Sequence, residues 1–139
     1  KKIIYDDDIH VILTLEKNVI GYVMLRSREF FYLKNINKKK KYLYFDTLII
    51  DKSFRGLNYS NILIKKTISL SKKLKVPMIL LCKKETIQFY KKYKWKLLNK
   101  NNVRTVDHKS NNSIMCFDKF QNEKIKKNKI DILINHHKL

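Results

Sequence analysis

Asp51-Lys52-Ser53-Phe54-Arg55-Gly56-Leu57-Asn58-Tyr59-Ser60 joins the most apolar stretch of the chain to a run with helical spacing. The apolar stretch, Tyr42 to Asp51, predicts a central strand interrupted by Asp46 and Thr47. From Asn61 to Leu74 the apolar residues Ile62, Leu63, Ile68, Leu70 and Leu74 alternate with lysines, which predicts a helix, and Pro77 marks a limit beyond it. Met78 to Cys82 is wholly apolar and predicts a short strand. The strand–loop–helix–strand order makes it parallel to the central one. The loop therefore opens a helix just past a strand, where free N–H groups and the positive end of the helix dipole can hold a phosphate or pyrophosphate. Gly56 has no Cβ, Asn58 tolerates left-handed backbone, and Ser60 is small enough for close ligand approach and can cap the helix. An ordinary capped helix start uses the same residue types, so the loop alone leaves both readings open.

Upstream, Ile9 to Glu16 and Val19 to Arg26 read as an antiparallel hairpin across the turn Lys17-Asn18. Phe30-Phe31-Tyr32-Leu33 then gives way to a lysine-rich run, 34 to 41, read as a solvated loop. Downstream, Thr86 to Tyr93 suits a second helix, with Ile87, Phe89, Tyr90 and Tyr93 as its apolar positions. Trp95 to Leu98 and Ser113 to Phe117 read as strands around an Asn/Lys-rich loop, 99 to 112. Residues 1–120 form one domain, and 121–139 a basic tail, helical or flexible.

The chain has 139 residues, 44% of them apolar, enough for one compact core. Its 32 Lys+Arg against 12 Asp+Glu give 32 − 12 = +20. That charge suits an anionic partner, but Lys, Asn and Ile saturate the whole sequence, so charge alone decides little. No apolar run approaches the roughly 18 to 20 residues that span a bilayer, and the first residues contain no signal-peptide core. A soluble, cytoplasmic protein without a membrane partner is expected. Cys82 and Cys116 read as buried free thiols, no C-x-x-C occurs, and His10, His108, His136 and His137 make no zinc-ligand pattern, so no metal is expected.

The order hairpin, central strand, Arg-Gly loop, helix, parallel strand, then Phe89-Tyr90-Lys91-Lys92-Tyr93-Lys94-Trp95 resembles the GNAT superfamily of acetyl-CoA-dependent N-acetyltransferases. Arg55, Asn58 and Ser60 fall on the specified positions of its Q/R-x-x-G-x-G/A fingerprint, with Asn58 and Ser60 replacing the two glycine-type positions. Within the superfamily the chain is most similar to glucosamine-6-phosphate N-acetyltransferases, through the Arg-Gly loop, Leu70-Ser71-Lys72-Lys73-Leu74, Phe89 to Tyr93, and Met115-Cys116. The resemblance runs from about Ile9 to Tyr93 and resumes at Ser113 to Phe120. It implies an α+β fold: a mixed, mostly antiparallel sheet with a splayed parallel strand pair, flanked by helices. It also implies an N-terminal strand and two helices over the acceptor site. Only about eight residues precede the hairpin here, so these elements are expected to be missing, or the acceptor side to be built differently. The family resemblance makes a homodimer with shared sites the default.

By the same resemblance, backbone groups of Leu48, Ile49 and Ile50 bind the pantetheine arm of acetyl-CoA. Arg55, Gly56, Leu57, Asn58, Tyr59 and Ser60 hold the pyrophosphate, and Thr86 and Phe89 lie beside the cofactor. The reaction is direct attack of an amine on the thioester, with a backbone N–H near Leu48 as oxyanion donor. Tyr90 protonates the leaving thiolate; an ordinary core tyrosine fits the same position. Asp46 and Thr47 occupy an acidic pair of the sugar pocket, of which only Asp46 keeps a carboxylate able to orient or deprotonate the amine. Phe30, Tyr32, Leu81 and Cys82 match further pocket positions and are equally explained as core. The acceptor implied is glucosamine 6-phosphate, on the way to UDP-GlcNAc. Alternatives are another amine, such as a protein N-terminus, lysine or polyamine, and, from a different class, a nucleic-acid-binding module using the lysine clusters at 38 to 41, 65 to 66, 72 to 75 and 91 to 94. No RNP-like or helix-turn-helix signature joins those clusters, so nucleic acid is the unfavoured partner.

Overall fold

The computed structural model describes residues 7–35, 38–118 and 129–134. Much of the expected basic tail, with His136 and His137, lies outside these residues. The elements in chain order are β1 (Ile9–Leu15), β2 (Asn18–Tyr32), β3 (Lys39–Ile50), α1 (Tyr59–Leu74), β4 (Met78–Cys82), α2 (Ile87–Lys91), β5 (Lys96–Leu97), β6 (Val103–Thr105), β7 (Ser113–Phe117) and β8 (Ile130–Ile132). They build one mixed sheet in the order β5-β7-β4-β3-β2-β8-β6, with β1 on β2. Two pairs are parallel, β3 with β4 and β6 with β8; the other pairs are antiparallel.

Alternation along the strands divides the interior in two. On one face Val23, Leu25, Leu43, Phe45, Met78 and Leu80 pack with Leu63 and Ile64 of α1, and residues of α2 lie against them. On the other, Phe30, Tyr42, Ile79 and Cys116 pack with Val103, Ile130 and Ile132, which requires the sheet to curl. Cys82 and Cys116 are both free and buried, one in each cluster. Helix α1 rests close to the sheet because its buried face is Leu63, Ile64, Thr67 and Ser71. The two hydroxyls are satisfied locally, Thr67 Oγ1 by Ile64 O at 2.7 Å and Ser71 Oγ by Val76 O at 2.6 Å. Ile62 and Leu74, expected on that face, are exposed. Gly21 gives the same closeness from β2, since a Cβ there would sit 2.9 Å from Leu63 Cδ1.

Four expectations need correction. Strand β2 does not end at Arg26 but runs to Tyr32, because β3 and β8 pair with its two edges there and Arg28 and Phe30 are fully buried on one face. The second helix is shorter than expected, with a 3-10 turn at Lys84–Thr86 before it and a left-handed Lys94 after it. The loop from 99 to 112 contains β6. The tail, expected to be helical or flexible, supplies β8, inserted between β2 and β6. Its residues are held from both sides: Arg28 Nε donates to Ile134 O at 2.8 Å, Tyr42 Oη donates to Leu133 O, and Ile134 N donates to Asp107 Oδ1 at 2.8 Å. Buried Asp131 accepts two hydrogen bonds from Arg104, at 3.0 and 2.7 Å. Ile132→Ala should therefore cost about 2 to 4 kcal/mol, as for other fully buried aliphatic side chains. Urea unfolding should show a lower midpoint at an unchanged slope; an unchanged midpoint would mean that 130–132 is not part of the cooperative fold.

Candidate active site

The pairing of β3 with β4 stops early. Leu43 pairs with Met78 and Tyr44 with Ile79, yet β3 runs on to Ile50 and β4 to Cys82, the latter staying on β7. The two parallel strands diverge, and among the described residues no strand pairs with the β4-side edge of β3 beyond Tyr44. The divergence coincides with a β-bulge. Met24 of β2 faces Thr47 and Leu25 faces Phe45, so Asp46 is an extra residue that the ladder skips, and such a residue bends the strand.

Where β3 ends, a groove of about 310 Å³ is lined by Leu48, Ile49, Ile50, Phe54, Arg55, Gly56, Asn58, Tyr59 and Ser60. The chain reaches it through a short, internally bonded turn. Asp51 Oδ1 accepts from Ser53 N at 2.9 Å, Phe54 N donates to Asp51 O at 2.9 Å, and Arg55 Nε donates to Ile50 O at 2.9 Å. Gly56 (φ 79) and Asn58 (φ 66) both take the left-handed region that their residue types allow. A Cβ on Gly56 would meet nothing within 4 Å, so its requirement is one of backbone angle, with open space in front of it. Asn58, not Ser60, is the N-cap: its left-handed turn starts the helix earlier than expected, and Ser60 lies in the first turn. Asn58 makes no side-chain capping bond, and the first turn has no acidic residue. The amides of Tyr59 and Ser60 stay at the groove for a ligand, at the positive end of a 16-residue helix.

Of the residues expected at a cofactor, the structure brings Leu48, Ile49, Ile50, Arg55, Gly56, Asn58, Tyr59 and Ser60 to one groove and adds Phe54, whose ring meets Tyr59 edge-on at 6.1 Å. Leu57 points to solvent and is 62% exposed. Thr86 and Phe89 lie beyond β4, on the other side of the divergence. Thr86 Oγ1 donates to Lys83 O at 2.9 Å, and Phe89 packs on Tyr90 and Tyr93.

Tyr90 sits edge-on to Phe45 and Trp95, each 5.9 Å away, so it lies on the α1-side core at the bulge. Burial, reinforced by Cys82, pushes its phenol up to about 12. Burial also raises the Cys82 thiol, with the neighbouring Thr86 hydroxyl acting in the opposite sense. Asp46 faces away from that core and pairs with Arg26, Nε to Oδ2 3.1 Å, both side chains largely buried. Asp8 lies 3.9 Å from Arg26 and 3.9 Å from Arg28. Tyr44, in the same polar layer, is raised to about 12 by burial and by Asp46, against Arg26 and Arg28. Phe30 is fully buried and faces Ile132 of β8 across the strand pair. Tyr32 meets Phe30 edge-on, and Leu81 lies against the same cluster.

Arg26 and Asp8 were not expected at the site. The signal for Arg26 in the sequence is the alternation Met24-Leu25-Arg26-Ser27-Arg28, which sets two guanidiniums on one face of an apolar strand. A larger groove of about 500 Å³ at the β6–β8 edge is flanked by Lys100, Arg104 and Lys129, but Arg104 is already matched by Asp131. No group of three His, Cys, Asp or Glu that could hold a metal occurs among the described residues, and none of their helices is long and apolar enough to cross a membrane.

A divergent parallel strand pair, with an anion-receptive helix start at its mouth, defines an acyl-CoA-dependent acetyltransferase fold. The profile of the acetyltransferase (GNAT) family matches residues 2–95, more than half of the chain, and the chain belongs to that family. Solved structures agree on the fold. The GNAT family N-acetyltransferase YhbS from Escherichia coli, in complex with CoA, superposes with a TM-score of 0.71 at 12% identity, over 92% of this chain and 67% of that one. Escherichia coli ElaA gives 0.59 at 14% identity, over 82% and 70% of the two chains. Arabidopsis thaliana Naa50, with the bisubstrate analogue CoA-Ac-MVNAL, gives 0.56 at 14% identity, over 78% and 72%. The chain thus spans roughly two thirds to three quarters of these proteins. Comparison with curated protein sequences yields no match.

Tyr44 and Tyr90, two of the raised tyrosines, make a prediction independent of ligand. Both phenols titrate higher folded than in an unfolded chain, near 10, so their contribution is complete below that pH and is lost as pH rises toward about 12. Tyr44→Phe and Tyr90→Phe should each flatten the alkaline fall in stability over this window, and each should remove one late-ionising phenol from the ultraviolet titration. Ionisation of both with the exposed tyrosines would contradict the packing.

Proposed function

We propose that this chain transfers the acetyl group of acetyl-CoA to a primary amine, glucosamine 6-phosphate first among acceptors. The observation that carries the cofactor reading is the uncapped α1 start beside Gly56 and Arg55, at the end of the strand that leaves its neighbour. Its donors and open glycine suit a pyrophosphate: amides of Tyr59 and Ser60, with the Arg55 guanidinium tethered to Ile50 O. The free edge of β3 at Leu48 to Ile50 offers main-chain groups to an amide-bearing arm, and a Leu48 N–H suits the role of oxyanion donor. Acetyl-CoA supplies the activated thioester; this chain binds it, orients it and manages protons around it.

Tyr90 takes a narrower part than full proton donation. A phenol held at about 12 stays protonated at neutral pH, but it yields its proton reluctantly to a thiolate whose acid titrates near 8.5. Its fitting role is as hydrogen-bond donor to the developing charge on sulfur. Asp46, paired with Arg26 at the bulge, offers a carboxylate to an ammonium while the guanidinium faces anionic or hydroxyl groups of a sugar phosphate. The resemblance to glucosamine-6-phosphate N-acetyltransferases and the basic surface support that acceptor, in a cytoplasmic homodimer. A peptide amine is the second reading, supported by the exposed apolar row Ile12, Val19 and Ile49 on the same side of the sheet.

Tyr90→Phe should lower kcat by about 10- to 100-fold with little change in KM for acetyl-CoA; unchanged kcat removes Tyr90 from the reaction. Arg55→Ala should instead weaken acetyl-CoA binding by about tenfold, the loss of one charge-assisted hydrogen bond. For the acceptor, mass spectrometry after incubation with acetyl-CoA and glucosamine 6-phosphate, a short peptide or spermidine should show the N-acetylated sugar phosphate. A product confined to the peptide or the polyamine overturns the sugar reading.

A further inference from the structure

On the sheet face opposite α1, strand register sets the side chains in rows. Ile12 of β1, Tyr22 of β2 and Ile49 of β3 are mutual partners in the first; His10, Met24 and Thr47 form the next, with the bulged Asp46 beside it; Arg26 and Tyr44 form the third. Between the first two rows, His10 Nδ1 lies 2.7 Å from the Tyr22 hydroxyl, with the rings stacked at 5.9 Å and 22°. Burial raises the Tyr22 phenol, and the charges that act on it are Arg26, Asp8 and Asp46 of the polar layer. His10 is exposed and Tyr22 is half-buried. The pair therefore runs from the polar layer at the divergence of β3 and β4 out to water.

An amine that arrives as an ammonium must lose two protons to become an amide. Asp46 is poorly free to take them, because a proton on its carboxylate would remove a 3.1 Å partner from the largely buried Arg26. Imidazole is the side chain whose charge changes near neutral pH, and at an exposed ring the proton can be handed on to solvent.

Resting on the acetyl-transfer reading above, we propose that Tyr22 and His10 form the proton exit for the acceptor amine. The Tyr22 oxygen takes a proton from the amine nitrogen as its own proton passes to His10 Nδ1, and the imidazolium then releases a proton to water. This happens once before the nitrogen attacks and once as the C–S bond breaks. The nitrogen loses two protons, the new N–C bond replaces the C–S bond, and the thiolate leaves with the sulfur electron pair, hydrogen-bonded by Tyr90 and later protonated from solvent. Tyr22 is the group that meets the amine, and His10 acts through it. The charged groups that act on the pair are Arg26, Asp8 and Asp46, with Arg28 and Tyr44 behind them in the same layer, and together they set the pH at which it works.

The test is the pH dependence of kcat/KM with acetyl-CoA and the amine that the unaltered protein acetylates. An acid limb is expected in the unaltered protein. His10→Gln should abolish that limb and lower kcat/KM at neutral pH by about tenfold, Tyr22→Phe should do the same, and the double variant should lose no more than either single one. Acetyl-CoA binding, measured by calorimetry, should be intact in all three. A second readout needs no turnover: the Nδ1 NMR signal of His10 should move in Tyr22→Phe, which removes its 2.7 Å partner. An acid limb that survives in His10→Gln, losses that multiply in the double variant, or a His10 Nδ1 signal indifferent to Tyr22→Phe overturns the relay while leaving acetyl transfer standing. A protein that binds no acetyl-CoA overturns both.

Discussion

One extra residue in one strand is the constraint on which the site depends. The β2–β3 register skips Asp46, and past it β3 stays with β2 but leaves β4. A parallel pair that stayed together to its ends would bury the main chain of Leu48 to Ile50 in a ladder and leave no room for a ligand. The cost of those unmade hydrogen bonds is limited because the freed edge opens on a groove where water or a ligand can satisfy it. Alternation from Tyr44 already sets Asp46 on the face opposite α1, in the layer with Arg26, Asp8 and Tyr44, and the bulge returns Leu48 and Ile50 to the α1 face. A single backbone irregularity thus accompanies the gap and sits beside a largely buried carboxylate.

The rest of the fold holds that irregularity in place. Phe45, just before the bulge, packs between Tyr90 and Trp95, so α2 and the turn after it clamp the strand where it bends. On the other face, β8 and the main chain of 133–134 tie down Arg28 and Tyr42, which flank the β2–β3 ladder. The large positive charge takes little part in this. The cations that matter are fixed by specific partners, Arg55 by a hydrogen bond to a strand-end carbonyl and Arg26 by an ion pair with Asp46, whereas most lysines are solvated.

Local chemistry was readable in the sequence, and chemistry that depends on distant partners was not. The turn from Asp51 to Ser60 is coded by residues whose own backbone preferences dictate it, so Gly56 and Asn58 announced the left-handed positions that the structure has. The resemblance placed the strand–loop–helix order and the family correctly, although its acceptor assignment rests on proposal. Helix α1 misled at Thr67 and Ser71, polar by composition but buried because each hydroxyl bonds a carbonyl close in sequence. Strand β8 was hidden by Asp131, whose burial makes sense only with Arg104 paired to it. The bulge showed merely as an interruption at Asp46 and Thr47, since a bulge is a relation between two strands. His10 and Tyr22 gave no signal, because their contact is set by the register of β1 on β2.

The central claim is that the free edge of β3 and the uncapped start of α1 together receive acetyl-CoA. Amide hydrogen exchange, followed residue by residue with and without acetyl-CoA, tests it most directly. The account predicts slowed exchange at Leu48 to Ile50 and at Gly56 to Ser60, with Val103 to Thr105 of the remote β6 edge unaffected. Unchanged exchange along β3 and the loop under saturating acetyl-CoA, or protection confined to the β6–β8 edge, would contradict it.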